Sequence, residues 1–357
     1  MSSKRYKQLS ILFIVGICFL LVACTGGPGG GSGYTPPKDK PFRVGKEGIS
    51  MRFMGDSPPA TVYPEDTFNA ILFLENVGAY TVGITVDPDG TKIGEEHGIL
   101  SITYDSFYLL TGAPDPNKNN IQLRGKSLTE ARGAGDTHEY TFYAKPLQGQ
   151  REHPTTPIIF TLCYPYETTL IQDVCVDLDY YNMDQRDKVC QIKTISLDKG
   201  QGAPIAITNV EPRALIVNGI SIVEFVLDIE NVAGGNVISW DDVSTTEQKC
   251  NGAKPDRDDW NALTISASLM GQQLDCGNKP VRLVENKAKV RCRSSDRDPL
   301  DTTAWSRYNH EENDAGDTVD SYVLIGSAKN FISSLYVNLK YYYQSSQSKQ
   351  IEILRVG

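Results

Sequence analysis

The chain carries few of the residue patterns that catalyse reactions or bind cofactors. Its four histidines stand singly, without the spacing of a zinc-binding HExxH motif. No GxSxG nucleophile motif is present, and Gly125-Lys126-Ser127 lacks the upstream glycine that a phosphate-binding loop needs. The sequence therefore predicts a protein that is not an enzyme and that uses no cofactor.

Acidic loops are the part of the sequence best suited to a metal ion, because calcium prefers carboxylate and carbonyl oxygens. No acidic cluster matches the calcium loop of an EF-hand. Solvated loops on an acidic protein are the simpler interpretation, so no metal site is predicted. The clusters are Asp87/Asp89 with Glu95/Glu96, Asp256/Asp258/Asp259, Asp296/Asp298/Asp301 and Asp314/Asp317/Asp320.

One cysteine near the N-terminus stands where chemistry on its thiol is expected. Lys4, Arg5 and Lys7 precede an apolar run, Leu9–Ala23, which is short for a membrane span and typical of an export signal. The run leads into Cys24 through Leu-Val-Ala, which resembles the lipobox of prokaryotic lipoproteins. That resemblance implies lipid attachment at Cys24, and an uncleaved anchor or an ordinary signal peptide is the alternative.

A flexible tether follows the predicted signal peptide of residues 1–23. Residues 24–44 are rich in Gly and Ser, and Pro36-Pro37 stiffens the end of the segment. Such a tether predicts a protein held at the extracytoplasmic face of the cell membrane through its lipid. The formal net charge of -9 argues against nucleic acid as a partner, because an anionic surface repels phosphate backbones.

The cysteines other than Cys18 and Cys24 predict disulfide bonds. Their number is even and none lies in a CxxC spacing, which in an exported chain favours disulfides over zinc binding. The sequence alone leaves their connectivity open. The six are Cys163, Cys175, Cys190, Cys250, Cys276 and Cys292.

A predicted hairpin suggests one of the pairings. A polar Glu-Thr-Thr segment is expected to turn the chain, and a symmetric hairpin then places Cys163 opposite Cys175, within disulfide distance. The corresponding positions later in the chain are Lys340 and Glu352, which predicts an ion pair there. In the alternative, the two cysteines lie on different faces and pair elsewhere, with Cys190 as a candidate.

Short segments of alternating hydrophobicity, broken by Gly, Pro, Asn and Asp, make up the rest of the chain. This pattern predicts many short strands and β-sandwich architecture. The predicted strands are 49–53, 68–74, 99–103, 139–144, 158–166, 174–177, 205–210, 223–229, 263–268, 281–284, 289–292, 322–325, 335–343 and 351–354.

Three sequence landmarks recur in the same order and predict an internal duplication. The copies are expected to be two tandem immunoglobulin-like sandwiches, 45–203 and 204–357. The first landmarks lie 155 residues apart and the third ones 177 apart, so the second copy carries about 22 extra residues between them, which are expected between Trp240 and Asn313. The landmarks are Glu-Asn-Val at 75–77 and 230–232, Ala-Gly-Asp-Thr at 134–137 and 315–318, and Tyr-x-Tyr at 164–166 and 341–343.

Tyr341, Tyr342 and Tyr343 in the last landmark are candidates for a carbohydrate platform. Strand alternation instead sends Tyr341 and Tyr343 to one face with Leu339 and Val337, which predicts that they belong to the core. Tyr342 points the other way.

A strand that runs into Asn-Val-Gly, as Phe73–Gly78 does, resembles the CARDB-like and other immunoglobulin-like adhesion domains of prokaryotic surface proteins. Ser57–Tyr63, Leu74–Tyr80 and Gly202–Thr208 resemble an uncharacterised group of archaeal surface proteins. The resemblance implies a structural or adhesive role and names no chemistry. Residues 231–234, Asn-Val-Ala-Gly, depart from the pattern by one residue.

The sequence therefore predicts a lipid-anchored cell-surface protein that acts in adhesion or in a surface assembly, with a surface protein or glycan as partner. The alternative is a lipoprotein that captures a solute or carbohydrate, which would need a deep cleft lined with aromatic residues. A third class, a cell-wall hydrolase, would need two facing carboxylates in a cleft. Exposed strand edges would favour adhesion or assembly.

Overall fold

The computed structural model describes an all-β protein in which the one helix of the described residues, α1, spans Thr246–Cys250. The predicted fold class is confirmed. No helix among these residues is long and apolar enough to cross a membrane. The described residues are 42–83, 85–86, 92–93, 97–107, 109–112, 119–147, 153–178, 188–217, 220–240, 245–250, 257–277, 279–294 and 330–354.

The strands reproduce most of the predicted segments, and β1 has the predicted bounds. In chain order they are β1 (Ile49–Phe53), β2 (Thr61–Val62), β3 (Thr67–Asn76), β4 (Thr85–Val86), β5 (Lys92–Ile93), β6 (Gly98–Thr103), β7 (Leu110–Gly112), β8 (Asn120–Ile121), β9 (Gly135–Ala144), β10 (Thr155–Asp177), β11 (Ile195–Ser196), β12 (Ile205–Val217), β13 (Ile220–Asn231), β14 (Asn236–Ser239), β15 (Ala262–Leu269), β16 (Gln272–Leu274), β17 (Val281–Arg282), β18 (Lys287–Arg293) and β19 (Asn330–Ile353).

Three larger sheets organise these strands. One has the order β1-β3-β9-β7 and another the order β11-β12-β13-β18. The third is a nine-stranded sheet. Six of its strands have the order β16-β15-β19-β10-β6-β8, and β2 and β14 pair with β19 and β17 with β15. A small sheet pairs β4 with β5.

Two long strands form the middle of the nine-stranded sheet. β10 has 23 residues and β19 has 24, and they pair antiparallel from end to end, with Thr155 opposite Glu352 and Asp177 opposite Asn330. The prediction of a hairpin within 158–177 is therefore wrong. The Glu-Thr-Thr segment continues the strand, because Thr168 is buried and its hydroxyl donates to the carbonyl of Ile205.

The predicted ion pair between Lys340 and Glu352 is also wrong, since both residues lie on the same strand, β19. Lys340 instead faces Glu167 across the ladder, with Nζ and Oε1 3.6 Å apart. This pair is partly exposed, so its contribution to stability is small.

Strand alternation places the core between the nine-stranded sheet and the two four-stranded sheets. Phe53 of β1 and Tyr140 of β9 contact Phe160 of β10 at ring-centroid distances of 5.6 and 5.4 Å. Further along the same face of the nine-stranded sheet, Val337 and Leu339 of β19 belong to the same continuous hydrophobic core as Phe225 of β13. Each four-stranded sheet thus forms one layer of a sandwich, and β10 and β19 contribute to the core that both share.

Backbone pairing bears out the duplication at its first landmark. Ile49 opposes Asn76 where β1 pairs with β3, and Ile205 opposes Asn231 where β12 pairs with β13. The residue after each asparagine donates its amide to the residue before each isoleucine, Val77 to Gly48 and Val232 to Pro204, at 2.9 Å in both cases. The two Glu-Asn-Val segments occupy equivalent positions.

The third landmark reveals how the two copies join. Pro165 of β10 lies opposite Tyr342 of β19, and these two residues are themselves equivalent members of the Tyr-x-Tyr motifs. Antiparallel pairing about this position relates each strand to its copy by a local two-fold axis through Pro165 and Tyr342. The duplication thereby produces one continuous sheet that includes strands from both halves.

The second landmark does not match as the sequence suggests. The amide of Asn76 donates to Ala134, and the amide of Asn231 donates to Asn286, so β18 is the copy of β9. Residues 315–318 lie outside the described residues. The extra length of the second half falls between Arg293 and Asn330, where β9 and β10 are separated by far fewer residues, and this only partly overlaps the predicted interval.

Residues Pro41–Gly357 group as one compact unit, and the nine-stranded sheet crosses the predicted boundary near residue 203. The division into two domains, 45–203 and 204–357, stays a prediction. The predicted signal peptide, most of the tether and Cys24 lie outside the described residues.

Candidate functional site

Four buried tyrosines surround the local two-fold axis. They are Tyr164, Tyr166, Tyr341 and Tyr343, at most 3% exposed, and the prediction that Tyr341 and Tyr343 belong to the core is confirmed. The ring centroids of Tyr164 and Tyr343 are 5.9 Å apart, and those of Tyr166 and Tyr341 are 6.2 Å apart. Burial removes the phenols from water and raises the pKa of all four.

The hydroxyls of these tyrosines accept hydrogen bonds from the backbone close to the Glu-Asn-Val segment of each half. The amide of Ile49 donates to the Tyr164 oxygen at 3.0 Å, and the amide of Ile205 donates to the Tyr341 oxygen at 3.3 Å. Likewise, the Tyr343 oxygen accepts from the amide of Gly235 at 2.6 Å. Hydroxyls engaged in this way serve the fold, and none of them is presented to a ligand.

The turns that follow Asn76 and Asn231, called here the asparagine turns, differ in one respect. Asn76 Oδ1 accepts from the amide of Gly78, whereas Asn231 Oδ1 accepts from the amide of Gly234, one residue further on. Of these two glycines, Gly234 has a positive φ (79°) and Gly78 does not. Gly78 is required by close packing instead, because a Cβ there would collide with the hydroxyl of Tyr166.

The six cysteines form three disulfides, but not with the predicted Cys163–Cys175 pair. Cys163 bonds to Cys250. Both residues are odd-numbered and point to the same face of β10, but twelve residues of extended strand separate them by about 40 Å, which is too far to bond. The alternative, Cys175 with Cys190, is the observed pairing, and Cys276 bonds to Cys292.

The Cys163–Cys250 bond belongs to a small second core on the outer face of the nine-stranded sheet. It packs with Ile238, Trp240 and Tyr342, and the rings of Trp240 and Tyr342 lie 5.4 Å apart. Tyr342 does point away from the main core, as predicted. It is 0% exposed, so this side chain offers no binding platform.

A groove of about 340 Å³ lies where the middle of β10 meets the segment before β12. Thr169, Leu170 and Ile171 of β10 form one side. Because these consecutive residues belong to both faces of the sheet, the groove runs against the edge of the strand. The opposite side is formed by Phe42, Arg43, Leu128, Ser196, Leu197, Asp198, Lys199, Gly200 and Gln201.

The direction of the backbone groups along β19 is fixed by its pairing with β2. The amides of Glu352 and Leu354 donate to Ala60 and Val62, on the side of β19 that faces away from β10. Backbone groups alternate in direction along a strand, so the even-numbered residues of β19 face outward. Since β10 places odd residues opposite even ones, the odd-numbered residues of β10 face away from β19.

The outward side of β10 is paired over only part of its length. β6 covers Ile159 to Cys163. Beyond that point, no strand among the described residues pairs with the outward groups of Glu167, Thr169 and Ile171. Ile171 is 57% exposed. We call this stretch, residues 167–171, the open edge; its residues 169–171 line one side of the groove.

The other predicted site residues lie apart from this groove. Asp258 and Asp259 form ion pairs with Arg282 and Lys249. His138 lies beside Asp136 with 3.3 Å between Nε2 and Oδ2. Among the described residues, no group of three or more metal-ligating side chains is found. The clusters at 87–96, 296–301 and 314–320 lie outside the described residues, apart from the short strand β5.

Sequence reasoning missed the groove, although β10 contains one local signal of an edge. Both prolines of the strand, Pro157 and Pro165, are odd-numbered, so the amide hydrogens they lack would have faced outward. Proline within a sheet is confined to positions where no ladder hydrogen bond is lost. No family model matches the chain, and no curated protein matches it.

Proposed function

We propose that this protein is a lipid-anchored cell-surface protein that acts in adhesion or as a structural component of a surface assembly. The observation that carries the proposal is the open edge of β10 beside a groove, since an unpaired strand edge is a template for binding another polypeptide. The lipid anchor at Cys24 rests on the sequence alone.

The way the two halves are joined supports a structural role. β10 and β19 pair over their whole length, and the Cys163–Cys250 bond links the first half to the second. A pull on one half is then transmitted to the other through a continuous hydrogen-bonded ladder and a covalent bond. Capture of a solute is less well supported, because the clustered tyrosines are buried and bonded to the backbone.

Site-specific photo-crosslinking on intact cells tests the proposal. A photoreactive p-benzoylphenylalanine replaces Leu128, which lies on the groove and is 67% exposed. Val284 is the matched control, because it is 69% exposed and lies in the second half, away from the lining of the groove. We expect a crosslinked polypeptide from position 128 and not from position 284. Equal crosslinking at both positions, or none at either, would contradict the proposal.

The anchor needs a separate test. Mass spectrometry of the mature protein should find the N-terminus at Cys24 carrying lipid, and Cys24→Ser should release the protein from membranes. An unmodified N-terminus at any other residue would disprove lipid attachment without bearing on the groove.

A further inference from the structure

We propose that the open edge of β10 binds an extended strand of a different polypeptide, which adds to the nine-stranded sheet antiparallel to β10 and carries an acidic residue beside the groove. This inference rests on the proposed function and specifies its partner. The partner would bind through backbone hydrogen bonds to β10, and pockets for its side chains would supply selectivity.

The open edge presents the groups that such a strand needs. Glu167, Thr169 and Ile171 each direct a backbone donor and acceptor outward, and no described strand pairs with them. Pro165 lacks the amide hydrogen that would extend this array towards β6. The added strand is therefore confined to the stretch from Glu167 onward, next to the groove.

The second half of the molecule shows how the same edge is completed. Gln344 of β19 is the copy of Glu167, and β14 pairs antiparallel with β19 from Gln344 to Tyr341. Beyond β14, the copies of Thr169 and Ile171 are Ser346 and Ser348, which are exposed. The fold thus already accepts a strand at Gln344, whereas no strand of the described residues pairs with β10 at the equivalent Glu167.

The walls of the groove define the chemistry of the added strand. Phe42, Leu128 and Leu197 provide apolar surface, which suits apolar side chains at alternate positions of the strand. Arg43 and Lys199 are exposed cations at the groove, against one acid, Asp198. On a protein of net charge -9 this local excess of positive charge favours an acidic residue in the partner.

Selection from a displayed library of random twelve-residue peptides on the full-length protein in detergent micelles tests the proposal. We expect enriched peptides with apolar residues at alternate positions and at least one Asp or Glu. Enriched peptides without this alternation, or without an acidic residue, would overturn it.

Three variants locate the peptides on the protein. Ile171→Pro removes an outward amide hydrogen and leaves the ladder to β19 intact, so the selected peptides should bind at least tenfold more weakly. Ile171→Thr keeps the amide hydrogen, so its affinity for the selected peptides should be within about threefold of that of the native protein. Arg43→Glu, which changes an exposed side chain outside the strands, should reduce binding of the acidic peptides at least fivefold and covers the case in which the proline variant does not fold.

Equal binding to the native protein, Ile171→Pro and Arg43→Glu would overturn the proposal. Sedimentation that shows self-association of the native protein, lost in Ile171→Pro, would also overturn it by making a second copy the strand donor. Failure of the proposed function is separable, because peptide binding would persist even if the Leu128 crosslinks on cells were absent.

Discussion

The two halves of the molecule treat the same strand edge differently. In the second half, the chain that follows Asn231 returns to β19 as β14 and covers its outward side. In the first half, the chain that follows Asn76 forms a bridge between Val82 and Leu123 instead, and no strand that the structure describes pairs with β10 at Glu167. The two equivalent edges therefore differ at one place: β14 covers Gln344, whereas no described strand covers its counterpart Glu167.

The core of the two halves, in contrast, has stayed alike. The hydrogen bond from the amide of Ile49 to Tyr164 in the first half recurs as the bond from the amide of Ile205 to Tyr341 in the second half. Interior packing tolerates little change in volume or polarity, whereas a surface edge can change partner. The difference between the halves therefore locates the variable, partner-facing part of the molecule.

Ionisation of the four core tyrosines should lower the stability of the core that the two halves share more than any other change considered below. Burial raises the pKa of Tyr164, Tyr166, Tyr341 and Tyr343 in the folded protein above the value of about 10 in the unfolded chain. The stability from this difference is fully present below about pH 10 and is lost as the pH rises beyond it. We expect alkaline unfolding in which these phenols ionise together with the loss of near-ultraviolet circular dichroism. Ionisation without unfolding would contradict the burial.

The disulfides should differ according to the chain they enclose. The Cys163–Cys250 bond closes 87 residues and joins the halves, whereas the Cys276–Cys292 bond closes 16 residues within the second half. Chain entropy predicts losses of about 4–5 kcal/mol for the first and about 3 kcal/mol for the second. Denaturant unfolding of the two double Cys→Ala variants measures both. A larger loss for the Cys276–Cys292 pair would show that the bond between the halves is not the stronger constraint.

The asparagine turns offer a smaller and matched comparison. Asn76 makes three side-chain hydrogen bonds, to Tyr80, Leu123 and Gly78, whereas Asn231 makes two, to Gly235 and Gly234. Each buried backbone group left without a partner costs about 1–3 kcal/mol. Asn76→Ala should therefore lower the free energy of unfolding more than Asn231→Ala, by about 1 kcal/mol. Equal losses would mean that the extra bond to Leu123 does not stabilise the fold.

Local sequence pattern predicted the strands and the core well where one face is buried. Ile49–Phe53 forms β1 with the predicted bounds, and Leu339, Tyr341 and Tyr343 lie in the core as predicted. The pattern failed at the Glu-Thr-Thr segment of β10, whose polarity is typical of a turn. There the polar groups find partners far along the chain, Thr168 with Ile205 and Glu167 with Lys340, so non-local pairing overrides the local signal.

The groove could not be predicted in the same way. Its two sides come from β10 and from residues 42–43, 128 and 196–201, which are distant in sequence. Whether an edge is open depends on strand order, and strand order is set by tertiary packing. The odd-numbered positions of Pro157 and Pro165 carried part of the information, but only the register with β19 shows which side they face.

Residue-resolved amide hydrogen exchange tests the central claim most directly, because it compares equivalent positions in one molecule. Glu167 and Gln344 occupy the same place in the two copies, and both direct their amides away from the central ladder. We expect slow exchange at Gln344, which β14 covers, and fast exchange at Glu167, Thr169 and Ile171. Comparable protection at Glu167 and Gln344 would show that the edge of β10 is already occupied, and would contradict the account.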